Sequence, residues 1–290
     1  MITPFLEFLQ FEKRSSAHTI KSYQTDLEQF QKYLLFQYDC AEPETAKAPM
    51  LRSWVVSLME EGLNPSSINR KIAALRTFYG YLRKKKHIDS DPTKILSALK
   101  TRKKLPAFVE EKSMEMLFEE GTFSDDFEGL RDRVIMELLY GSGIRLSELV
   151  ELELKDLNLP ARTIRVFGKR SKERIVPVST SLVQLLQKYI EQRAPEENTD
   201  ILLLTDSNKA IYPVFVQRKV KQYLSAVTTL SQKSPHVLRH TYATHLLNRG
   251  ADLNAIKELL GHANLAATQI YTHNSIEKLK KSHQQAHPKA

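Results

Sequence analysis

Apolar residues recur at spacings of three and four through most of the chain, and at a spacing of two in one short stretch. Ile20, Tyr23, Leu27, Phe30 and Leu34 mark one face of an amphipathic helix. Leu51, Trp54, Val55, Leu58 and Met59 mark a second. Asn64-Pro65-Ser66 is a helix start. The run behind it, Ile68, Ile72, Leu75, Phe78, Tyr79 and Leu82, closes in the cationic cluster Arg83-Lys84-Lys85-Lys86. A short fourth helix is expected after Asp91-Pro92. The first hundred residues therefore predict a small bundle of four or five helices.

Thr101-Arg-Lys-Lys-Leu-Pro106 is short, basic, poor in apolar residues and closed by proline, as a linker would be. Beyond it the helical period returns. Arg131 to Tyr140 is expected to be a helix ending at Gly141-Ser142-Gly143, and another should start near Arg145 and run through Leu146, Leu149 and Leu152. Then the period changes. Thr163–Phe167 and Arg174–Val178 alternate and are rich in β-branched residues, and Gly168–Glu173 joins them as the basic tip of a β-hairpin. Leu182 to Tyr189 is helical again. The pattern predicts a mainly α chain with a small β-hairpin, divided into residues 1–100, a linker at 101–106, and residues 107–290.

Composition adds the compartment and a class of partner. Of 290 residues, 41% are hydrophobic and 27% charged, the balance of a globular protein. No segment approaches the roughly 20 apolar residues of a membrane span, so no membrane insertion is expected. The opening MITPFLEFLQFEKRSS lacks the basic-then-apolar order of a signal peptide. Cys40 is the only cysteine, which excludes a disulfide framework and a cysteine-rich metal site. A cytoplasmic location follows as the expectation. Net charge is +9, and it is unevenly spread. Residues 1–104 hold 18 basic and 11 acidic side chains, net +7, whereas residues 105–290 hold 25 and 23, net +2. A basic domain on a more neutral one suits a polyanion clamp, although many mildly basic proteins have no such partner.

Four stretches offer chemistry. Ser234-Pro235-His236 is a helix start with serine as N-cap and proline first in the helix. It sets His236 and Arg239 on one face of a first turn, where free N–H groups and the helix dipole favour a phosphate. Gly143-Ile-Arg145 places a second arginine at a turn, with Glu148 one turn on to orient it. Lys169 stands at the base of the hairpin turn, where it could reach a leaving oxygen. Leu260-Gly261-His262 ends a helix at glycine, and Tyr271 follows nine residues later. A tyrosine hydroxyl needs nearby cations to become a nucleophile. Each of these residues also has an ordinary use as core histidine, surface ion pair or packing tyrosine. A metal is a further possibility, since His236 and His240 have the spacing of a zinc pair and His245, His262 and His273 follow, but no acidic or cysteine ligands accompany them.

In order and spacing the motifs Gly143-Ile-Arg145-Leu-Ser-Glu148, Gly168-Lys169, Ser234-Pro-His236-Val-Leu-Arg239-His240, Leu259-Leu-Gly-His262 and Tyr271 resemble the tyrosine recombinase (phage integrase) family. The Ser234–His245 and Leu259–His273 segments, and the ending from His283 to Ala290, are similar to its Xer branch. The chain starting directly with the helical bundle, without an arm-binding domain, fits that branch too. The resemblance implies an N-terminal SAM-like core-binding domain and a C-terminal mixed α/β catalytic domain, closed as a clamp on duplex DNA. It implies Tyr271 as nucleophile, forming a 3′-phosphotyrosyl link and freeing a 5′-hydroxyl. Arg145 and Arg239 would hold the non-bridging oxygens and Lys169 would protonate the leaving oxygen. His236 would assist as acid/base, and His262 would hydrogen-bond the phosphate. Arg170 stands where the family's hairpin often has glycine, and Lys172 is a second candidate for the acid. No cofactor, metal or ATP is implied. The expected partners are duplex DNA, three further protomers on two DNA sites, a homologous second recombinase and a septal DNA translocase. The segment from Ile276 to Ala290 would dock on a neighbouring protomer. The implied role is chromosome-dimer resolution at cell division, in the nucleoid. A mobile-element integrase or invertase, a type IB topoisomerase and a non-catalytic DNA-binding protein on the same fold are the alternatives.

Overall fold

The computed structural model describes residues 1–101, 107–168, 173–194 and 199–261, and the chain divides into two compact units, Met1–Lys104 and Leu105–Ala290. In the first unit, helix α1 (Ile2–Glu7) passes into a single π-helical turn (Phe8–Glu12). Helix α2 (Ala17–Tyr38) is capped by Ser16, whose hydroxyl accepts from the Thr19 N–H at 3.3 Å. Helix α3 spans Ala48–Glu60. Helix α4 (Pro65–Lys84) starts where Asn64 accepts from the Ser66 N–H at 2.9 Å and Pro65 takes the first helical position.

The periodic residues do what their spacing predicts. Leu27, Phe30 and Leu34, then Leu51, Trp54 and Leu58, then Ile68, Ile72, Leu75, Phe78 and Leu82 form one core. Phe5 of α1, which lies outside the periodic runs, closes that core edge-on to Phe78 at 5.3 Å between ring centroids. Met59 departs from expectation: it falls at the edge of the α3 stripe and is half exposed. The fourth helix expected after Asp91-Pro92 is one 3-10 turn, Pro92–Ile95. Side chains of α4 stop it from propagating. Arg76 donates to the Leu96 carbonyl at 2.6 Å, and Asn69 exchanges two hydrogen bonds with the Leu99 backbone, at 2.9 and 2.7 Å. These satisfy backbone groups that a helix would otherwise pair.

A buried ion pair lies inside this unit. Asp26 of α2 is 1% exposed and accepts from Lys71 Nζ at 2.9 Å and from the Arg70 guanidinium, both on α4. Lys71 is itself buried and also donates to Gln29.

The second unit is built round helix α6 (Phe127–Ser142), begun by Asp126, which accepts from the Gly129 N–H at 2.8 Å. Buried residues occupy every side of it from Gly129 to Ser142 except Arg133. Helices α8 (Thr180–Gln192) and α10 (Pro235–Asn248) pack on it. The smaller helices are α5 (Glu111–Leu117), α7 (Leu146–Val150), α9 (Pro213–Val227) and α11 (Leu253–Leu260). Helix α7 stops short of Leu152, because the chain turns to pair with another segment. The Leu202 N–H donates to the Leu152 carbonyl at 2.7 Å and the Leu154 N–H to the Asp200 carbonyl at 2.9 Å.

The sheet is an antiparallel meander of β1 (Leu157–Asn158), β2 (Thr163–Phe167) and β3 (Glu173–Pro177). β2 and β3 form the expected hairpin, in a register that pairs Ile164 with Val176 and Val166 with Arg174. β1 is too short to show an alternation. The segment opening this unit is fastened to α10: the Val109 N–H donates to Thr241 Oγ1 at 2.9 Å, and Glu111 takes two bonds from Arg249. Among the described residues no helix is long and apolar enough to cross a membrane.

Removing the carboxylate from Asp26 leaves the buried Lys71 ammonium unpaired. Asp26→Ala is expected to cost about 3 kcal/mol, read from urea unfolding of the full chain. A loss below about 1 kcal/mol would show that the pair contributes only as much as a surface ion pair.

Candidate active site

Helix α6 ends at Gly143, in the left-handed conformation at φ +62°. A Cβ there would lie 2.4 Å from Cδ1 of the fully buried Tyr242, so only glycine lets α10 approach this turn. Two residues on, Arg145 occupies the cap position of α7. Its side chain has no acceptor to offer, and Glu148 does the capping instead. Glu148 Oε2 takes the Arg145 backbone N–H at 2.7 Å and Oε1 takes Arg145 Nη1 at 2.7 Å.

Helix α10 starts as its sequence predicts, with Ser234 at the N-cap and Pro235 behind it, though the serine side chain makes no capping hydrogen bond. His236 is exposed, whereas Arg239 is 7% exposed. The Arg239 guanidinium donates to the carbonyl of Gly143 and to that of Leu260.

Leu260 belongs to the end of α11, where the site closes. Helix α11 starts at Asp252, which accepts from the Asn254 and Ala255 N–H groups, and stops at Gly261 with φ +61°. Three consecutive carbonyls at this end each accept from a different arginine. Leu259 takes Arg174 Nε at 2.8 Å, Leu260 takes Arg239, and Gly261 takes Arg145 Nη2 at 3.0 Å. These are orphan carbonyls at the negative end of a helix dipole, and cations suit them. Arg174 also sends Nη1 and Nη2 to the two oxygens of Glu148, at 2.7 and 2.8 Å.

Proton affinities follow from this packing. Burial pushes the Glu148 carboxyl up, but the bonds and charge of Arg174, then the N–H and guanidinium of Arg145, more than offset it and hold the group at about 2. Arg239 is lowered to about 10, first by burial and then by the charges of Arg145 and Arg174. A guanidinium has five donors. Among the described residues Arg145 and Arg239 each give two to the protein. Guanidinium groups suit an oxyanion such as a phosphate.

Of the residues singled out in the sequence, Arg145, Glu148 and Arg239 come together at this point. His236 shares the first turn of α10 with Arg239. Lys169, His262 and Tyr271 lie outside the described residues, as do Arg170, Lys172, most of the linker and the segment from Ile276 to Ala290. The description stops at Gly168, Lys169's neighbour, and at Gly261, His262's neighbour. The proposed zinc pair gains no third ligand from its own helix: His245 is 1% exposed and its Nδ1 lies 2.9 Å from the Tyr140 hydroxyl. Among the described residues no cluster of three His, Cys, Asp or Glu could hold a metal ion. Sequence reasoning missed Arg174. The available signal was its phase: it alternates in step with buried Val176, so it points inward.

A model described as the phage integrase family matches residues 107–278, and one described as the phage integrase N-terminal SAM-like domain matches residues 2–86. The chain belongs to the phage integrase family of tyrosine recombinases. Members of this family cleave and rejoin DNA through a tyrosine intermediate, and site-specific tyrosine recombination is this enzyme's activity. Among relatives of the recombinase, tyrosine recombinase XerC of Chlorobaculum parvum is 37% identical, over 100% of this chain and 94% of the relative. Tyrosine recombinase XerD of Staphylococcus aureus is 35% identical, over 100% and 99%. The fold is shared with XerH recombinase bound to a palindromic difH substrate, at TM-score 0.73 and 21% identity, over 97% of this chain and 84% of that one. It is shared with the Tn1549 transposon integrase in complex with transposon right end DNA, at TM-score 0.71 and 20% identity, over 97% and 98%. The recombinase therefore has the two-part helical architecture of these structures, with its small antiparallel sheet in the second part.

Glu148 makes the recombinase sensitive to acid. Its folded value lies below the unfolded one of 4.5, so the unfolded chain binds the proton more tightly. The stabilisation is complete above about pH 5 and is lost as pH falls toward 2. It amounts to about 3 kcal/mol for a shift of this size. Glu148→Gln should lower stability at pH 7 and flatten the acid limb below pH 5, measured as urea midpoints against pH. Parallel acid limbs in the two proteins would assign the sensitivity to other carboxylates.

Proposed function

We propose that this recombinase resolves chromosome dimers, cutting duplex DNA through a 3′-phosphotyrosyl link to Tyr271. The observation that carries the assignment is the meeting of Arg145 and Arg239 on adjacent carbonyls of one helix end. Two guanidinium groups so placed suit the two non-bridging oxygens of a phosphodiester, whose charge grows in the transition state. The same charge favours the phenolate of Tyr271, a group whose ordinary pKa is about 10. Lys169 protonates the departing 5′-oxygen. His236 assists proton transfer, and His262 hydrogen-bonds the phosphate. The free 5′-hydroxyl of a partner strand then attacks the phosphotyrosine, so the bond energy is kept and no nucleotide is consumed.

Residues 1–100 form the core DNA-binding domain, 101–106 the linker, and 107–290 the catalytic domain. The excess charge of the first part supports a grip on the phosphate backbone. Four protomers act on two DNA sites, with a homologous second recombinase in the assembly. The segment from Ile276 to Ala290 docks on a neighbour, and a septal DNA translocase triggers exchange in the nucleoid. The names of the XerC and XerD relatives support this cellular role over that of a mobile-element integrase.

Footprinting on the host's replication-terminus region would first locate the bound site, and a nicked duplex carrying it traps the cleaved state, because the released fragment diffuses away. The parent chain should form a covalent adduct on it, and Tyr271→Phe none. An undiminished adduct from Tyr271→Phe would place the nucleophile elsewhere. Footprints at the ends of a mobile element, instead of the replication terminus, would overturn the chromosomal role.

DNA affinity should fall steeply with salt. A clamp making 6–10 phosphate contacts loses about 10³–10⁵ in affinity between 50 and 200 mM salt. A flat binding isotherm series over that range, read by fluorescence anisotropy, would argue against a clamp.

A further inference from the structure

We propose that Arg174 is a positioning residue for the recombination reaction, holding Arg145, the end of α11 and the base of the hairpin in one register. The proposal rests on the assignment of Arg145 and Arg239 to the phosphate. Arg174 itself is 4% exposed, so it does not touch DNA.

An arginine facing inward from a strand is costly unless its donors are all met. Arg174 occupies the core-facing phase of β3, opposite Val166. Nη1 and Nη2 form a two-pronged bond to Glu148, and Nε reaches the Leu259 carbonyl. The same Glu148 oxygens accept from Arg145: Oε1 from its guanidinium and Oε2 from its backbone N–H. The plane of the Arg174 guanidinium therefore fixes the plane of the carboxylate, and the carboxylate fixes Arg145. Toward α11 the same side chain holds Leu259, whose next two carbonyls orient Arg239 and Arg145. Gly261 is fitted against it as well. A Cβ at Gly261 would lie 3.1 Å from Arg174 Cδ. Along the chain, Arg174 is the second residue of β3, which begins at Glu173 and pairs with β2.

Lysine would keep the charge here but not the fork. A single ammonium cannot serve both carboxylate oxygens and a carbonyl with planar geometry. A misplacement of about 1 Å in a reacting group costs on the order of 10²-fold in rate.

The test compares Arg174→Lys with the parent on the nicked duplex that traps the adduct. Three quantities are measured: DNA affinity, the single-turnover rate of adduct formation at saturating protein, and the melting curve. Arg174→Lys should melt cooperatively, bind within about threefold of the parent, and cleave on the order of 10²-fold more slowly. In an Arg145→Lys background the same change should cost less than about threefold, because Arg174 acts through Arg145. A merely structural role would give equal losses in both backgrounds, or lower affinity and rate together, and either result overturns the proposal. So does cleavage by Arg174→Lys within threefold of the parent. If Arg174→Lys does not fold, Gly261→Ala disturbs the same seat while leaving the arginine in place. It should slow cleavage at unchanged affinity, and a parental rate would overturn the proposal. Failure of the parent chain to form any Tyr271-dependent adduct would remove the site assignment itself, and with it this role for Arg174.

Discussion

Three guanidinium groups bonded to three successive carbonyls repel one another, and one carboxylate makes the arrangement stable. Glu148 bonds Arg174 with both oxygens and Arg145 with the same pair, and its depressed proton affinity measures how strongly it is held. Arg239 lies outside that direct pairing. It relies on the carbonyls of Gly143 and Leu260, and its pKa is lowered first by burial and then by the charges of Arg145 and Arg174. The negative end of α11 supplies the balance. Much of the second unit exists to bring these acceptors to the arginines: the glycine turn after α6, the inward phase of β3, and the left-handed stop at Gly261.

The parts of the site that could be read from the sequence are those whose context is local. Arg145 follows a Gly-Ser-Gly turn, Glu148 is one turn away, and Arg239 is on the first turn of a helix opened by Ser-Pro. Arg174 has no such context. Its partners stand 26 and 85 residues away, and a charged residue in an alternating strand is ordinarily assigned to the solvent face. Only its phase with Val176 pointed the other way. The fold divides along the same line. Helices α2 and α4 declared themselves through a continuous apolar stripe. The truncation of α7 and the collapse of the expected fourth helix to a single turn come from partners elsewhere in the chain, the backbone of Asp200 and Leu202 in one case and the side chains of Asn69 and Arg76 in the other.

The two units handle buried charge differently. In the first, Asp26 and Lys71 neutralise each other between two helices, and Arg70 completes the pairing from a half-exposed position. That arrangement locks a bundle and offers nothing to a ligand. In the second, three arginines share one carboxylate and the carbonyls of a helix end. Helix α10, which carries Arg239, is fastened to the segment around Val109 and Glu111.

The bonds at the end of α11 also have a place in time. They join residues separated by 116, 85 and 21 positions, and in every case the acceptor is made after the arginine. At about 5–20 residues per second, a ribosome completes Gly261 roughly 6–20 seconds after Arg145. Arg174 and Arg239 are made within that interval, and none of the three has its helix end to bind until Leu259 to Gly261 follow. The electrostatic half of the site is therefore among the last features of the second unit to form, and a chain cut short before Leu259 holds the right side chains without the geometry that makes them a site.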